Sequence, residues 1–371
     1  MTQHLKRLVF ILIVVAGFTV AGAENAGGVR IEVPQEKLAE QAYKNIQVFK
    51  GVPATQLLGV MNYMAGALGV SCNHCHVPNQ FAKDDKPTKQ TARRHIVMTR
   101  TLNESTFAGE PTVNCSTCHR GETRPAPRLE LTRAEPVATP AADALPSVDQ
   151  ILERYAKALG GEAKIEKLKT LRITGTRVTT MGRDPSQSEA LEVLRKAPNK
   201  LRMTFSRTGS DSTQAFNGAE GWRSFNGRVS AISGPDLLGA QRDANFYKDI
   251  NLRQQFSQLT VAGRETVDGR ECVVIEATLP ERHPARMMFG IQSEKLYFDA
   301  QTGLLVRRYM EYKTLFGPLP EATDYGDYRK VKGVMLPFAI TLSRPPMKVI
   351  QKVDVIKIDT AIGDEMFEKP K

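Results

Sequence analysis

The run Met61-Asn-Tyr-Met-Ala-Gly-Ala-Leu-Gly-Val-Ser-Cys72-Asn-His-Cys75-His76 ends on a C-x-x-C-H motif, and a second, Cys115-Ser-Thr-Cys118-His119, follows it. Two thiols one turn apart can form thioethers to the two vinyl groups of a single porphyrin, and the residue after them aims its imidazole at the iron. The spacing therefore predicts two covalently bound haem c groups, one on Cys72 and Cys75 and one on Cys115 and Cys118, with His76 and His119 as proximal ligands. A structural zinc site built from two C-x-x-C pairs separates them by about 15–20 residues, whereas 39 residues lie between Cys75 and Cys115. Paired disulfides would not require a histidine after each pair. His74, inside the first motif, is read as solvent-facing or near a haem propionate.

Each six-coordinate haem needs a second axial ligand. Before the first motif, a helix over about 56–68 sets Leu57, Met61, Met64 and Leu68 on one face, so that Met61 or Met64 can offer a thioether. Between the motifs, a helix over about 91–103 sets Ala92, His95, Met98, Thr99 and Leu102 on one side, with Arg93, Arg94 and Arg100 off it. His95 is the candidate ligand there, and Met98 the alternative.

Those stretches, with Thr91-Ala-Arg-Arg-His95-Ile-Val-Met98-Thr-Arg-Thr-Leu-Asn103 and Cys115-Ser-Thr-Cys-His-Arg-Gly121, resemble one two-haem half of the cytochrome c subunit of photosynthetic reaction centres. The resemblance covers about 52–127, roughly a fifth of the chain. It implies a periplasmic electron donor in which each haem is built from a helix, a turn and a C-x-x-C-H, with a methionine of the preceding helix ligating the iron. Met61, eleven residues before Cys72, falls on that position. His95 stands where the family has its methionine in the next unit, which implies His/His ligation at the second haem. The family carries four motifs and this chain two, so a photosynthetic role does not follow.

The remainder of the 371 residues reads differently. With 41% apolar and 25% charged residues the chain can bury a core, which excludes a disordered tail or a polytopic membrane protein. Lys6 and Arg7, an apolar run from Leu8 to Val20 and Ala21-Gly22-Ala23 predict a signal peptide over 1–23, with an uncleaved anchor as the alternative. The run is shorter than the roughly 20 residues of a membrane span. Export to the periplasm removes nucleic acid as a partner for the net charge of +11 and points to acidic redox proteins or an anionic membrane surface. A dihaem domain over 24–130 then gives way to a Pro-rich linker over 131–146, which cannot build a core.

Ser147-Val-Asp-Gln150 is a capping box opening a helix that Gly160-Gly161 stops. After it, alternating stretches around Leu171 and Ile173, Leu191 and Val193, and Leu201, Met203 and Phe205 predict a large antiparallel sheet, interrupted by helix over 235–256. Residues 147–371 resemble the periplasmic lipoprotein-carrier and lipoprotein-receptor fold, through Leu296-Tyr-Phe-Asp-Ala-Gln-Thr-Gly-Leu-Leu-Val306, Asp324-Tyr-Gly-Asp-Tyr328 and Asp364-Glu-Met-Phe367. The expected fold is a mostly α-helical dihaem cytochrome c domain followed by an α+β domain with a curved antiparallel sheet, a half-barrel. No catalytic constellation emerges in that domain: His283 has no Ser or Cys partner and is expected at the surface, while Cys272 and Trp222 read as packing residues.

Electron transfer between periplasmic or membrane-bound redox proteins is the function implied. A haem enzyme such as a peroxidase needs an open coordination position, which Met61 and His95 would fill. A binding module holding a lipid, quinone or peptide in the sheet is the other reading. Intact mass of the denatured chain, produced in a strain competent for haem attachment, should show two added haems. Replacing Cys115 and Cys118 with alanine should leave one.

Overall fold

The computed structural model describes residues 37–125 and 145–370. The expected signal peptide over 1–23 lies outside the described residues, as does the expected linker apart from Leu145 and Pro146. Among the described residues no helix is long and apolar enough to cross a membrane.

The first part is helical: α1 (Ala39–Ala42), α2 (Ala54–Leu68), a single tight turn over Cys72–His74, α3 (Pro87–Thr106) and α4 (Cys115–His119). Local chemistry sets the boundaries. Pro87 occupies the first turn of α3, where its missing N–H costs nothing, and α2 stops at Gly69 in the left-handed region. Helices α5 (Val148–Leu159) and α6 (Glu162–Ile165) follow. The capping box opening α5 forms as expected, with Ser147 Oγ accepting the Gln150 N–H at 3.2 Å and Gln150 Oε1 accepting the Ser147 N–H at 2.8 Å. Ile151, Tyr155 and Leu159, four apart, give α5 its buried stripe.

The rest is one antiparallel sheet. Its strands are β1 (Thr170–Met181), β2 (Gln187–Lys196), β3 (Lys200–Arg207), β4 (Ser210–Phe216), β5 (Gly221–Phe225), β6 (Arg228–Ile232), β7 (Gln258–Val267), β8 (Arg270–Thr278), β9 (Ser293–Asp299), β10 (Leu305–Thr314), β11 (Gly317–Val331), β12 (Val334–Arg344) and β13 (Met347–Ile358). They lie in the order β6-β5-β4-β3-β2-β1-β13-β12-β11-β10-β9-β8-β7. Two meanders are thus joined where β1 pairs with β13, Ile173 standing opposite Ile356.

The consecutive strands β6 and β7 are the two outer edges, so the chain must cross the whole sheet between them. It does so through α7 (Gly234–Ala244) and α8 (Leu252–Gln255), within the helical interruption expected over 235–256. Because β6 and β7 do not pair, the sheet stays open. Helix α9 (Pro284–Phe289) links β8 to β9. Cys272 is fully buried, and Trp222 is buried with its Nε1 donating to the Phe367 carbonyl at 2.8 Å.

His283 departs from expectation. It is buried, caps α9 by accepting the Ala285 N–H at Nδ1, and packs beside the Arg242 guanidinium. Burial, reinforced by the Arg242 charge, pushes its pKa down to about 4. The surface reading failed because the residue's neighbour across the fold lies 41 positions away in the chain.

One end of the sheet carries the helical segment. The tips of three neighbouring hairpins, β1–β2, β12–β13 and β10–β11, all meet it. Phe316, at the β10–β11 tip, inserts between Phe49 and Tyr63 with ring centroids 6.3 and 6.1 Å away. Val60 and Phe316 are 0% and 2% exposed, so one apolar core runs from α2 into the sheet. Each such side chain contributes about 1.5–3 kcal/mol on burial. At the β12–β13 tip, Pro345 lies where a side chain on Gly66 of α2 would be, 2.8 Å from a Cβ placed there.

At the β1–β2 tip, Gly182 has φ +56 and its missing Cβ would fall 2.5 Å from the Val70 carbonyl carbon. Two residues later the first C-x-x-C-H begins. Gly182→Ala should therefore cost more than Gly209→Ala, whose φ is +73 but which has open space around it. Chemical denaturation should give about 1–2 kcal/mol for the left-handed strain at Gly209 and about 1–3 kcal/mol beyond that at Gly182, from forced displacement of packed backbone.

Candidate cofactor site

The two motifs fold as single helical turns. Cys72–His74 is a tight turn closed by the His76 N–H on the Cys72 carbonyl at 3.0 Å, and Cys115–His119 is α4 itself. Asn114 caps α4: its Oδ1 accepts the Thr117 N–H at 3.1 Å, and Thr117 Oγ1 accepts the Asn114 N–H at 3.1 Å. One turn brings the two cysteines of each pair to the same side. None of the four is in a disulfide. Burial pushes the Cys115 thiol up to about 11 and raises that of Cys75 as well.

Both motif histidines are tethered through Nδ1 to a main-chain carbonyl. His76 donates to Phe81 O at 2.9 Å, and His119 to Glu122 O at 2.9 Å. A histidine whose Nδ1–H is taken in this way presents a lone pair at Nε2, the arrangement of a metal ligand. Burial lowers the His76 pKa below the usual imidazole range; the Phe81 carbonyl opposes this, and the charges of Lys89, Arg93 and Lys86 add to it. His74 is half-buried, with its carbonyl accepting from Thr88 Oγ1 at 2.6 Å.

The distal residues lie on helix faces that differ from the expected ones. On α2 the residues turned into the core are Leu57, Val60, Tyr63 and Ala67. Met61 and Met64 are one position round from that stripe, half-buried and packed at the edge of the core together with Cys115. On α3, Ile96, Thr99 and Asn103 face inward, while His95, Met98 and Leu102 form an exposed ridge, Met98 being 56% exposed. The expectation of one mixed apolar side is thus corrected: the stripe splits into a core row and an outer row. The outer row ends opposite α4, where the His95 ring lies 5.9 Å from the His119 ring, centroid to centroid, at 33°.

These residues fit haem. His119 and His95, with rings 5.9 Å apart, are the two imidazoles that would hold the iron of a haem attached to Cys115 and Cys118. Apolar side chains stand exposed around the motifs, with Leu58, Phe81, Val97 and Met98 each more than half exposed, as surfaces that meet a large apolar cofactor would be. Among the described residues no three His, Cys, Asp or Glu side chains converge as a protein-only metal site requires.

Several supporting residues escaped the sequence reading. Asn103 forms a two-way clamp on the strand entering the second motif: its Nδ2 donates to Val113 O at 2.7 Å and its Oδ1 accepts the Val113 N–H at 2.9 Å. Asp84 forks onto Arg93 at 2.8 and 2.9 Å and pairs with Lys89 at 3.0 Å, which closes the loop after His76 onto α3. Arg93 and then Lys89 hold the Asp84 carboxyl well below the usual carboxylate range. Gly69 joins the two motifs: with φ +65, the position of its missing Cβ is taken by the Gly121 carbonyl, and the Gly121 N–H donates to Ala67 O at 2.8 Å. An Asn directly before a C-x-x-C is a capping signal in sequence; the other contacts join residues five to ten positions apart or, at Gly69 and Gly121, about fifty.

Comparison with known proteins bears on the same region. Residues 23–150 match the family described as photosynthetic reaction centre cytochrome C subunit. Cytochrome c-554 of Chloroflexus aurantiacus is 38% identical over 81 residues, 20% of this chain and 20% of that protein. The photosynthetic reaction center cytochrome c subunit of Thermochromatium tepidum is 36% identical over 93 residues, 24% of this chain and 22% of that protein. The chain therefore spans less than a quarter of the length of these two relatives. Among solved structures, a DUF1329 family protein from Desulfovibrio piger has a TM-score of 0.45 at 14% identity, covering 60% of this chain and 97% of its own. A LolA superfamily protein from Nitrosomonas europaea has 0.43 at 14%, covering 60% and 98%.

Proposed function

We propose that this chain is an exported, periplasmic c-type cytochrome with two covalently held haems, carrying electrons between redox partners at or near a membrane. Cys72 and Cys75 hold the first haem, with His76 as its proximal and Met61 as its distal ligand. Cys115 and Cys118 hold the second, between His119 and His95. The observation that carries this reading is the His95–His119 pair, whose rings α3 and α4 bring to 5.9 Å, centroid to centroid. Each haem, when bound, supplies one-electron chemistry at its iron.

The chain's own residues supply attachment, orientation and tuning. The Phe81 and Glu122 carbonyls fix the tautomer and plane of the two proximal rings. The Asn103 clamp and the Asn114 cap hold the second motif against α3, so that His95 keeps its place opposite His119. Filled axial positions favour electron transfer over a peroxidase activity, which needs one of them open. The match over residues 23–150 supports the same class. A strongly basic chain suits partners that present an acidic face.

The ligand sets make the two haems unequal. A methionine ligand raises the potential of a c-type haem, whereas a second imidazole donates more strongly and favours the oxidised iron. A redox titration should resolve two waves separated by on the order of 0.1 V or more, within the roughly 0.8 V range that axial ligands command. His95→Met should raise the lower wave and leave the upper one nearly unmoved. Coincident waves, or a His95→Met chain with unchanged potentials and spectrum, would remove His95 as a ligand and turn attention to Met98.

A further inference from the structure

The Phe81 carbonyl takes two donors. His76 Nδ1 lies 2.9 Å from it and the Lys89 ammonium 2.8 Å. Lys89 is 8% exposed, a rare depth for a lysine, and its remaining bonds run to the Lys83 carbonyl at 2.7 Å and to Asp84 at 3.0 Å. The second motif is built otherwise. Among the described residues, the Glu122 carbonyl that takes the His119 Nδ1–H receives no ammonium or guanidinium donor.

We propose that Lys89 is a positioning and tuning residue for the first haem, raising its potential through the oxygen it shares with His76. The inference rests on the reading of Cys72, Cys75 and His76 as a haem site. An imidazole that gives its Nδ1–H to a carbonyl becomes a stronger donor to a metal, and so favours the higher oxidation state. A cation bonded to the same oxygen competes for its electron density and takes part of that effect back. The buried charge also acts directly, because a nearby ammonium disfavours the extra positive charge of the oxidised site, and burial keeps that interaction from being screened. Both effects have the same sign. Asp84 opposes them, but one carboxylate faces two cations, Lys89 and Arg93, so the cluster keeps a net positive charge. Only one of the two haems has this arrangement, so Lys89 widens the gap that the Met61 and His95 ligand sets open.

The test uses the full haem-loaded chain and three variants, Lys89→Met, Lys89→Arg and Asp84→Asn, each titrated spectroelectrochemically after intact mass has counted the attached haems. Lys89→Met should shift the higher-potential wave downward by about tenfold in the oxidised-to-reduced ratio, which is about 59 mV for one electron. The lower wave should stay in place. Lys89→Arg, which keeps the charge and a donor, should restore the wild-type value, and Asp84→Asn should move the higher wave upward. Lys89 could instead matter only as a strut that keeps water from the site, in which case Lys89→Met and Asp84→Asn would both loosen the loop and move the wave the same way. Shifts of the same sign, no shift in Lys89→Met, or a shift of the lower wave alone overturns the proposal. A wild-type chain without haem on Cys72 and Cys75 overturns the site reading itself, and mass alone detects that.

Discussion

Two main-chain carbonyls, those of Phe81 and Glu122, decide what the motif histidines can do. A free imidazole interconverts its tautomers and rotates. Tied at Nδ1, it presents Nε2 in one direction, and the question becomes what holds the carbonyl. For Phe81 it is the loop that Asp84, Lys89 and Arg93 close against α3. For Glu122 it is a reciprocal turn, in which the Glu122 N–H donates back to the His119 carbonyl at 2.8 Å, followed outward by the Arg183–Glu122 ion pair at 2.6 Å. Arg183 belongs to the β1–β2 tip and also donates to the Gly121 carbonyl at 3.2 Å, so the sheet meets the residues that directly follow the second motif.

That reach explains why a sheet domain accompanies so small a helical one. The buried apolar residues of the helical segment do not form a separate core but share one with the sheet. Phe316 supplies a shared aromatic centre with Phe49 and Tyr63, and Pro345 and Gly182 press on the two ends of the segment between Gly66 and Val70. The sheet thus acts as a platform that sets the backbone leading into the first motif.

Patterns confined to one turn or one element were legible in the sequence. The Ser147 capping box and the loss of alternation over 235–256 are patterns of one turn or one stretch of chain, and the structure contains both, as a capped α5 and as α7 and α8. The helix faces were legible only in part. A 3.6-residue period locates a stripe but does not say which side of it the core takes, and on α3 the choice falls to Asn103, whose amide must reach Val113. That rotation places Ile96 and Thr99 inside and leaves His95 on the outer row. Lys89 and His283 were read as surface or not singled out, because their burial depends on Phe81, Asp84 and Arg242, partners that no local pattern links to them.

The pairing of His95 with His119 is the point on which the ligand assignment turns, and near-infrared magnetic circular dichroism of the oxidised, haem-loaded chain tests it most directly. The charge-transfer band of low-spin ferric haem falls at different energies for methionine/histidine and histidine/histidine ligation. One band of each kind, in equal amounts, is expected. Two bands of the methionine type, or a high-spin signal from one haem, would contradict the pairing.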